Sequence, residues 1–254
     1  MKISLGINQE VIGELVKAFS DSTTQTLNEV IQEQGWETGN FKNGANWDTR
    51  FKRLKKVALQ NNLVVLTRKR GIWTFIVLLN IQTGVMYVFS KEKNIEIVKR
   101  NFGKKKIHYF HAFLSLNSGP VELDNQQLEF FPKVTDDYDA RRIFEVQKIL
   151  GEEYPLVKQV VFVVAKEEGR KIIGVEAQLY NRYFGLLDSE DWTSSMSVDQ
   201  YDDLLEPAEQ TFDEDDISDI IPKVKQTVKD RKNHFDKKIA QKKKETEQSK
   251  EEES

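Results

Sequence analysis

Over roughly the first sixty positions the apolar residues recur at helical spacing. Val11, Leu15 and Phe19 share one face behind Asn8, whose side chain suits an N-cap. A second helix is predicted after Asp21 or Ser22. It carries Leu27, Val30 and Ile31 and stops at Gly35, and Gly39, Asn40, Asn43 and Gly44 then mark a loop. Trp47, Phe51, Leu54 and Ala58 step i, i+4, i+7, i+11 and predict a third helix from about Trp47 to Asn61.

The pattern then changes to short apolar runs cut by turn residues. Residues 63–68, 72–80 and 85–90 read as strands, with Lys69-Arg70-Gly71 and Gln82-Thr83-Gly84 as turns, which predicts an antiparallel meander. Residues 91–101 read as a short helix with Ile95 and Val98 inward, stopped by Gly103. The apolar segment 107–116 is read as a strand, and residues 127–131 as an edge strand. Residues 137–150 predict a helix with Ile143, Val146 and Leu150 on one face and Gly151 as its C-cap glycine. A second hairpin follows, from 157–165 through Glu167-Glu168-Gly169 to 171–180, and the polar stretch 188–214 reads as loop.

Beyond Asp216 the apolar residues Ile217, Ile221, Val224, Val228, Phe235 and Ile239 form an a/d-like seam on a charged helix. The fold class expected is α+β, with a helical N-terminal part, a mostly antiparallel sheet with packed helices and a protruding C-terminal helix. Three regions are expected: 1–61 helical, 62–200 an α+β domain of two hairpin-containing halves, and 201–254 an acidic linker with a charged amphipathic tail.

Charge changes the picture more than composition does. The 254-residue chain has a net charge of only −3. Residues 41–110, however, carry 16 basic and 3 acidic side chains, whereas residues 111–220 carry 9 basic and 25 acidic ones. Such asymmetry points to partners rather than to a fold. Two expectations follow: nucleic acid bound through residues 41–110, and a basic protein bound through residues 111–220. The candidate phosphate contacts are Arg50, Lys52, Arg53, Lys55, Lys56, Arg68, Lys69, Arg70, Lys104, Lys105 and Lys106. Trp73, Tyr87, Tyr109 and Phe110 are interleaved among them and would stack on bases if exposed. Ile217, Ile221, Val224, Val228 and Phe235 are the candidate partner contacts of the tail, through which a homo-oligomer is one expectation.

Catalytic chemistry finds little purchase. The absence of cysteine removes disulfides, thiolate nucleophiles and Cys-based metal sites. No serine sits in a glycine-flanked elbow, and Gly103-Lys104-Lys105-Lys106 lacks the glycine spacing of a P-loop. His108 and His111 fall short of a ligand set, and in a strand they point to opposite faces. Asp136, Asp137 and Asp139 suit the first turn of a helix. Glu176 precedes Gln178 by two where a metal-dependent nuclease of the restriction-endonuclease kind carries a lysine, and no Pro-Asp pair lies upstream. No metal or cofactor is expected. The N-terminus lacks a signal-peptide pattern, and the longest apolar run, 160–165, is far short of a bilayer span, so the expected location is the cytoplasm.

Several stretches carry a resemblance. They are Arg68-Lys69-Arg70-Gly71-Ile72-Trp73, Thr83-Gly84-Val85-Met86-Tyr87-Val88-Phe89, Lys91-Glu92-Lys93-Asn94, Val175-Glu176-Ala177 and Ser189-Glu190-Asp191-Trp192. Across residues 47–195 the chain resembles an uncharacterised family of Gram-positive bacteria and their prophages. The resemblance implies a bacterial or phage setting and brings no activity with it. The function expected is that of a non-enzymatic intracellular binding protein associated with nucleic acid. The alternatives are a protein–protein regulator with an acidic surface, able to imitate DNA, and a degenerate metal-dependent nuclease.

Overall fold

Each element of the computed structural model, which describes residues 5–35, 41–71, 73–118, 135–169 and 171–197, starts from a local signal. Helix α1 (Gln9–Ser20) begins where the Asn8 side chain accepts the Val11 N–H at 2.9 Å. Helix α2 (Thr24–Gln34) ends on Gly35 in the left-handed conformation, φ 63°, which a side chain resists. Helix α3 (Lys42–Gln60) starts five residues before the expected Trp47, running through Gly44.

Strands β1 (Val64–Arg70), β2 (Trp73–Asn80) and β3 (Val85–Lys91) form the expected antiparallel meander. Helices α4 (Glu92–Arg100), α5 (Tyr109–Leu114) and α6 (Asp136–Leu150) follow, and Gly151 opens a 3₁₀ turn, Gly151–Leu156. Strands β4 (Gln159–Glu168), β5 (Lys171–Tyr180) and β6 (Leu186–Asp191) make a second meander. One sheet joins all six in chain order, and its single parallel contact is β3 with β4, Val85 opposite Gln159 and Lys91 opposite Ala165.

The architecture is α+β, as the pattern predicts, and the described helices cover both faces of the sheet. Phe19 of α1 meets Phe89 edge-on at 5.1 Å on one face. On the other, Tyr109 stacks on Phe75 at 4.4 Å and Phe110 meets Phe162 at 5.0 Å. That two-sided cover explains why residues 160–165 are apolar without alternation: all six are fully buried in β4. Burying a valine there contributes on the order of 1.5–3 kcal/mol relative to exposing it.

Two sequence expectations are corrected. Residues 109–114 are helix, not strand: all six are buried, and a helix apolar all round belongs in a core. The His108 Nδ1 accepts the Phe110 N–H at 3.2 Å and so caps that helix. Residues 188–191, read as the start of a loop, belong to edge strand β6 (Leu186–Asp191). Asp188, Glu190 and Asp191 have poor strand propensity, yet charge is what keeps an edge from pairing with another chain. The strand expected at 127–131 and the tail seam lie outside the described residues. Contacts divide the chain into units 1–209 and 210–254, and every described residue belongs to the first.

Candidate nucleic-acid interface

The cationic residues of the basic block part into two groups. Arg50, Arg53, Arg68 and Arg70 are engaged inside the protein, as is Lys91, which pairs with Glu167 at 3.1 Å, whereas Arg100 is exposed. Arg50 is 6 % exposed, lies 5.9 Å over both the Phe19 and Trp47 rings, and faces Glu167 at 3.9 Å. Burial pulls its pKa below the ordinary arginine value. Arg53 donates to the Asp21 and Ser22 carbonyls, both at 2.9 Å, closing the C-terminal end of α1. Arg68 does the same for α6: it reaches the Ile149 and Leu150 carbonyls at 2.6 and 3.2 Å and Glu153 at 2.7 Å. Arg70 donates to the Ile107 carbonyl. A planar fork of donors suits such carbonyl clusters better than an ammonium does.

The lysines of α3 remain on the surface. Lys52, Lys55 and Lys56 recur on the helix flank beside Leu59, because positions three and four apart share a face. None of these lysines, nor Lys69, has a carboxylate or carbonyl partner among the described residues. Together with Asp48 and Phe51, Lys52, Lys55 and Lys56 wall a groove of about 430 Å³. Its other wall is the sheet, which contributes Thr67, Thr74 and Ile76. Thr67 lies opposite Ile76 and Lys69 opposite Thr74 in the β1–β2 register, so Lys69 extends the same face toward the hairpin tip. The floor is apolar, made by the buried Phe51 and Ile76, and Leu59 stands at the edge, 74 % exposed.

Lys104, Lys105 and Lys106 lie in the α4–α5 connection, in the layer across the sheet from α3, so the eleven expected contacts do not form one patch. Lys104 bonds Asn101 at 3.0 Å. The aromatic residues do not line the groove either. Tyr87 and Phe110 are fully buried, Tyr109 is 6 % exposed, and Trp73 packs against the core. Tyr87, Tyr109 and Phe110 thus lack the exposure that stacking on bases requires, because the core needs them inside, and Trp73 is half-buried.

A second polar cluster surrounds Glu176 on β5. Lys166 donates to one of its carboxylate oxygens and Gln178 Nε2 to the other at 3.0 Å, while the Tyr180 hydroxyl donates to Gln178 Oε1 at 2.6 Å. The hydrogen bond from Lys166 holds the Glu176 carboxyl below its usual range, and that from Glu176 raises the Lys166 ammonium. Both shifts lock the charged forms. A general acid or base poised near neutral pH needs the opposite, a raised glutamate or a lowered lysine. Among the described residues no three His, Asp or Glu side chains converge to hold a metal.

The sequence profile of a family of unknown function (DUF5986) matches residues 4–242. The chain belongs to that family. No curated protein and no solved structure matches it. For this DUF5986 member, residues 4–242 take in the groove, the Glu176 cluster and the buried histidines alike. Among its described residues no helix is long and apolar enough to cross a membrane.

Among the described residues, His108 and His111 pack into the α4–α6 layer. His111 Nε2 lies 2.8 Å from the Val98 carbonyl, which can only accept, so that nitrogen carries the proton. Nδ1 is then an acceptor, facing the Tyr138 hydroxyl at 2.8 Å and the His108 backbone N–H at 3.3 Å. Burial lowers the His111 pKa to about 4 and drives that of His108 well below its ordinary value. With both ring nitrogens of His111 engaged, the pair holds α4, α5 and α6 together.

Proposed function

We propose that this DUF5986 protein is a non-enzymatic, cytoplasmic binding protein that holds nucleic acid along the groove between α3 and the β1–β2 hairpin. The observation that carries the reading is the strip Lys52, Lys55, Lys56 and Lys69, none of which forms an ion pair among the described residues and which, with Asp48 as the one carboxylate lining the groove, leaves a cationic border on a concave surface. Phosphates are the natural counter-charges for ammonium groups on a ridge, and each neutralised phosphate releases condensed counterions. The locked Lys166–Glu176 pair supports a binding role over acid–base catalysis.

Fluorescence anisotropy with labelled DNA and RNA tests this. Binding at low salt should weaken as salt rises, with a log–log slope of roughly −2 to −4 for three or four phosphate contacts. Replacing Lys52, Lys55 and Lys56 together by alanine should abolish it. Absence of any complex at low salt, or a triple variant that binds like the parent, would sink the reading.

A further inference from the structure

The lysine strip alone would suit any polyanion, but the groove it borders is not a flat phosphate-tracking surface. Its volume of about 430 Å³ falls in the lower part of the range for small-molecule sites, roughly 300–1,000 Å³. A duplex offers a convex wall of sugar and phosphate, with its bases paired and turned inward, and would leave such a groove empty. The floor has the opposite chemistry from its rim. Phe51 and Ile76 form it, and Leu59, 74 % exposed at the edge of the groove, extends the apolar surface to where a ligand group could cover it. Thr67 and Thr74 add two hydroxyls on the sheet wall, each able to donate and accept a hydrogen bond.

We infer that the groove receives one unpaired base of a single-stranded nucleic acid, laid against Leu59, while the flanking phosphates sit on Lys52, Lys55 and Lys56. This rests on the nucleic-acid reading above and names the form of nucleic acid that fits. Charge complementarity selects an anionic chain. The apolar floor selects a chain that carries a flat apolar group within reach of its charges, which an unpaired nucleotide does and a bare phosphate backbone does not. Because the platform is aliphatic and no exposed ring lines the groove, recognition depends on shape and burial and tolerates every base.

The experiment compares four end-labelled ligands of equal length with the full chain at low salt. They are a single strand, its blunt duplex, a strand of abasic sugar-phosphates and poly-glutamate. The single strand should bind roughly tenfold more tightly than the duplex and the abasic strand. Leu59→Ser, at a position already in water, should bring the single strand down toward the duplex while the thermal melt stays unchanged. Equal affinity for single strand, duplex and abasic strand overturns the inference and leaves the phosphate reading standing. Loss of all three nucleic-acid complexes overturns both, and poly-glutamate binding in their place assigns the groove to an acidic protein chain instead.

Discussion

The α4–α6 layer and the α3 ridge lie on opposite faces of one sheet and treat cationic side chains in opposite ways. In the first, Arg142 is fully buried under Phe102 at 5.1 Å. It donates to the Asp139 carboxylate, to the Arg182 carbonyl at 2.6 Å and to the His111 carbonyl at 3.3 Å. Asp139 also accepts from Arg182, so one carboxylate joins α6 to the segment after β5. On the α3 ridge Lys52, Lys55 and Lys56 have no such acceptors and stay in water. A segment's formal charge therefore overstates what a partner meets: Arg50, Arg53, Arg68 and Arg70 are spent on carbonyls and rings, and Lys52, Lys55, Lys56 and Lys69 keep their charge for a partner.

The sharpest way to break this contrast is to remove a cation from each layer. Arg142→Ala leaves two carbonyls and one oxygen of the Asp139 carboxylate without their donor, Arg182 keeping the other oxygen, and should destabilise the fold by about 3–5 kcal/mol in urea unfolding. A loss below about 1 kcal/mol would show that the α4–α6 network is decorative.

Acid attacks the same layer next. His108 and His111 are neutral in the fold, with pKa values held below the ordinary 6.5, that of His111 at about 4. Below pH 6.5 the unfolded chain binds protons that the folded chain refuses. Stability is thus full above that pH and falls as pH drops toward 4, by about 1.4 kcal/mol per pH unit for each proton. His111→Gln should flatten that part of the stability–pH curve, and an unchanged slope in both single histidine variants would refute the assignment.

Arg68→Ala probes an arginine of the basic block itself. Losing its bonds to the Ile149 and Leu150 carbonyls and to Glu153 should cost about 1–3 kcal/mol, read as a lowered urea midpoint. The smallest effect on stability belongs to the lysines. Replacing Lys52, Lys55 and Lys56 together should move stability by no more than about 0.5 kcal/mol, since surface changes away from packed features rarely do more. The same variant should lose nucleic acid. A large drop in its melting temperature would mean that the ridge is structural after all.

Much of this fold is written locally in the chain. Asn8, Gly35 and Gly151 announce helix ends through chemistry that acts within a few residues, and Gly71, Gly84 and Gly169 mark the hairpins through positive φ. Two elements depend on the tertiary context instead. Whether His108 to Leu116 is strand or helix turns on what surrounds it, because a short apolar run has no polar phase to reveal its period. Strand β6 has residues that prefer loops and forms because β5 offers it a free edge.

The site is half legible for the same reason. Charge counting finds the right segment of chain, and helical periodicity puts Lys52, Lys55 and Lys56 near one another. Nothing local shows that Arg53 will meet the end of α1, or Arg68 the end of α6, since those carbonyls come from elements far along the chain. The opposing wall of the groove is equally remote: Thr67 and Thr74 meet α3 only after the hairpin docks on it.

The lone parallel contact in the sheet has a consequence for the order in which the molecule assembles. Every other strand pair closes through a short turn, so each meander can form early with little loss of chain entropy. Joining β3 to β4 requires the ends of the stretch from Lys91 to Gln159 to be brought together, so that seam is expected to be the slow step of folding. Val161→Ala on the seam should slow refolding, while Leu66→Ala in the first meander should chiefly hasten unfolding, and stopped-flow rates in urea would separate the two.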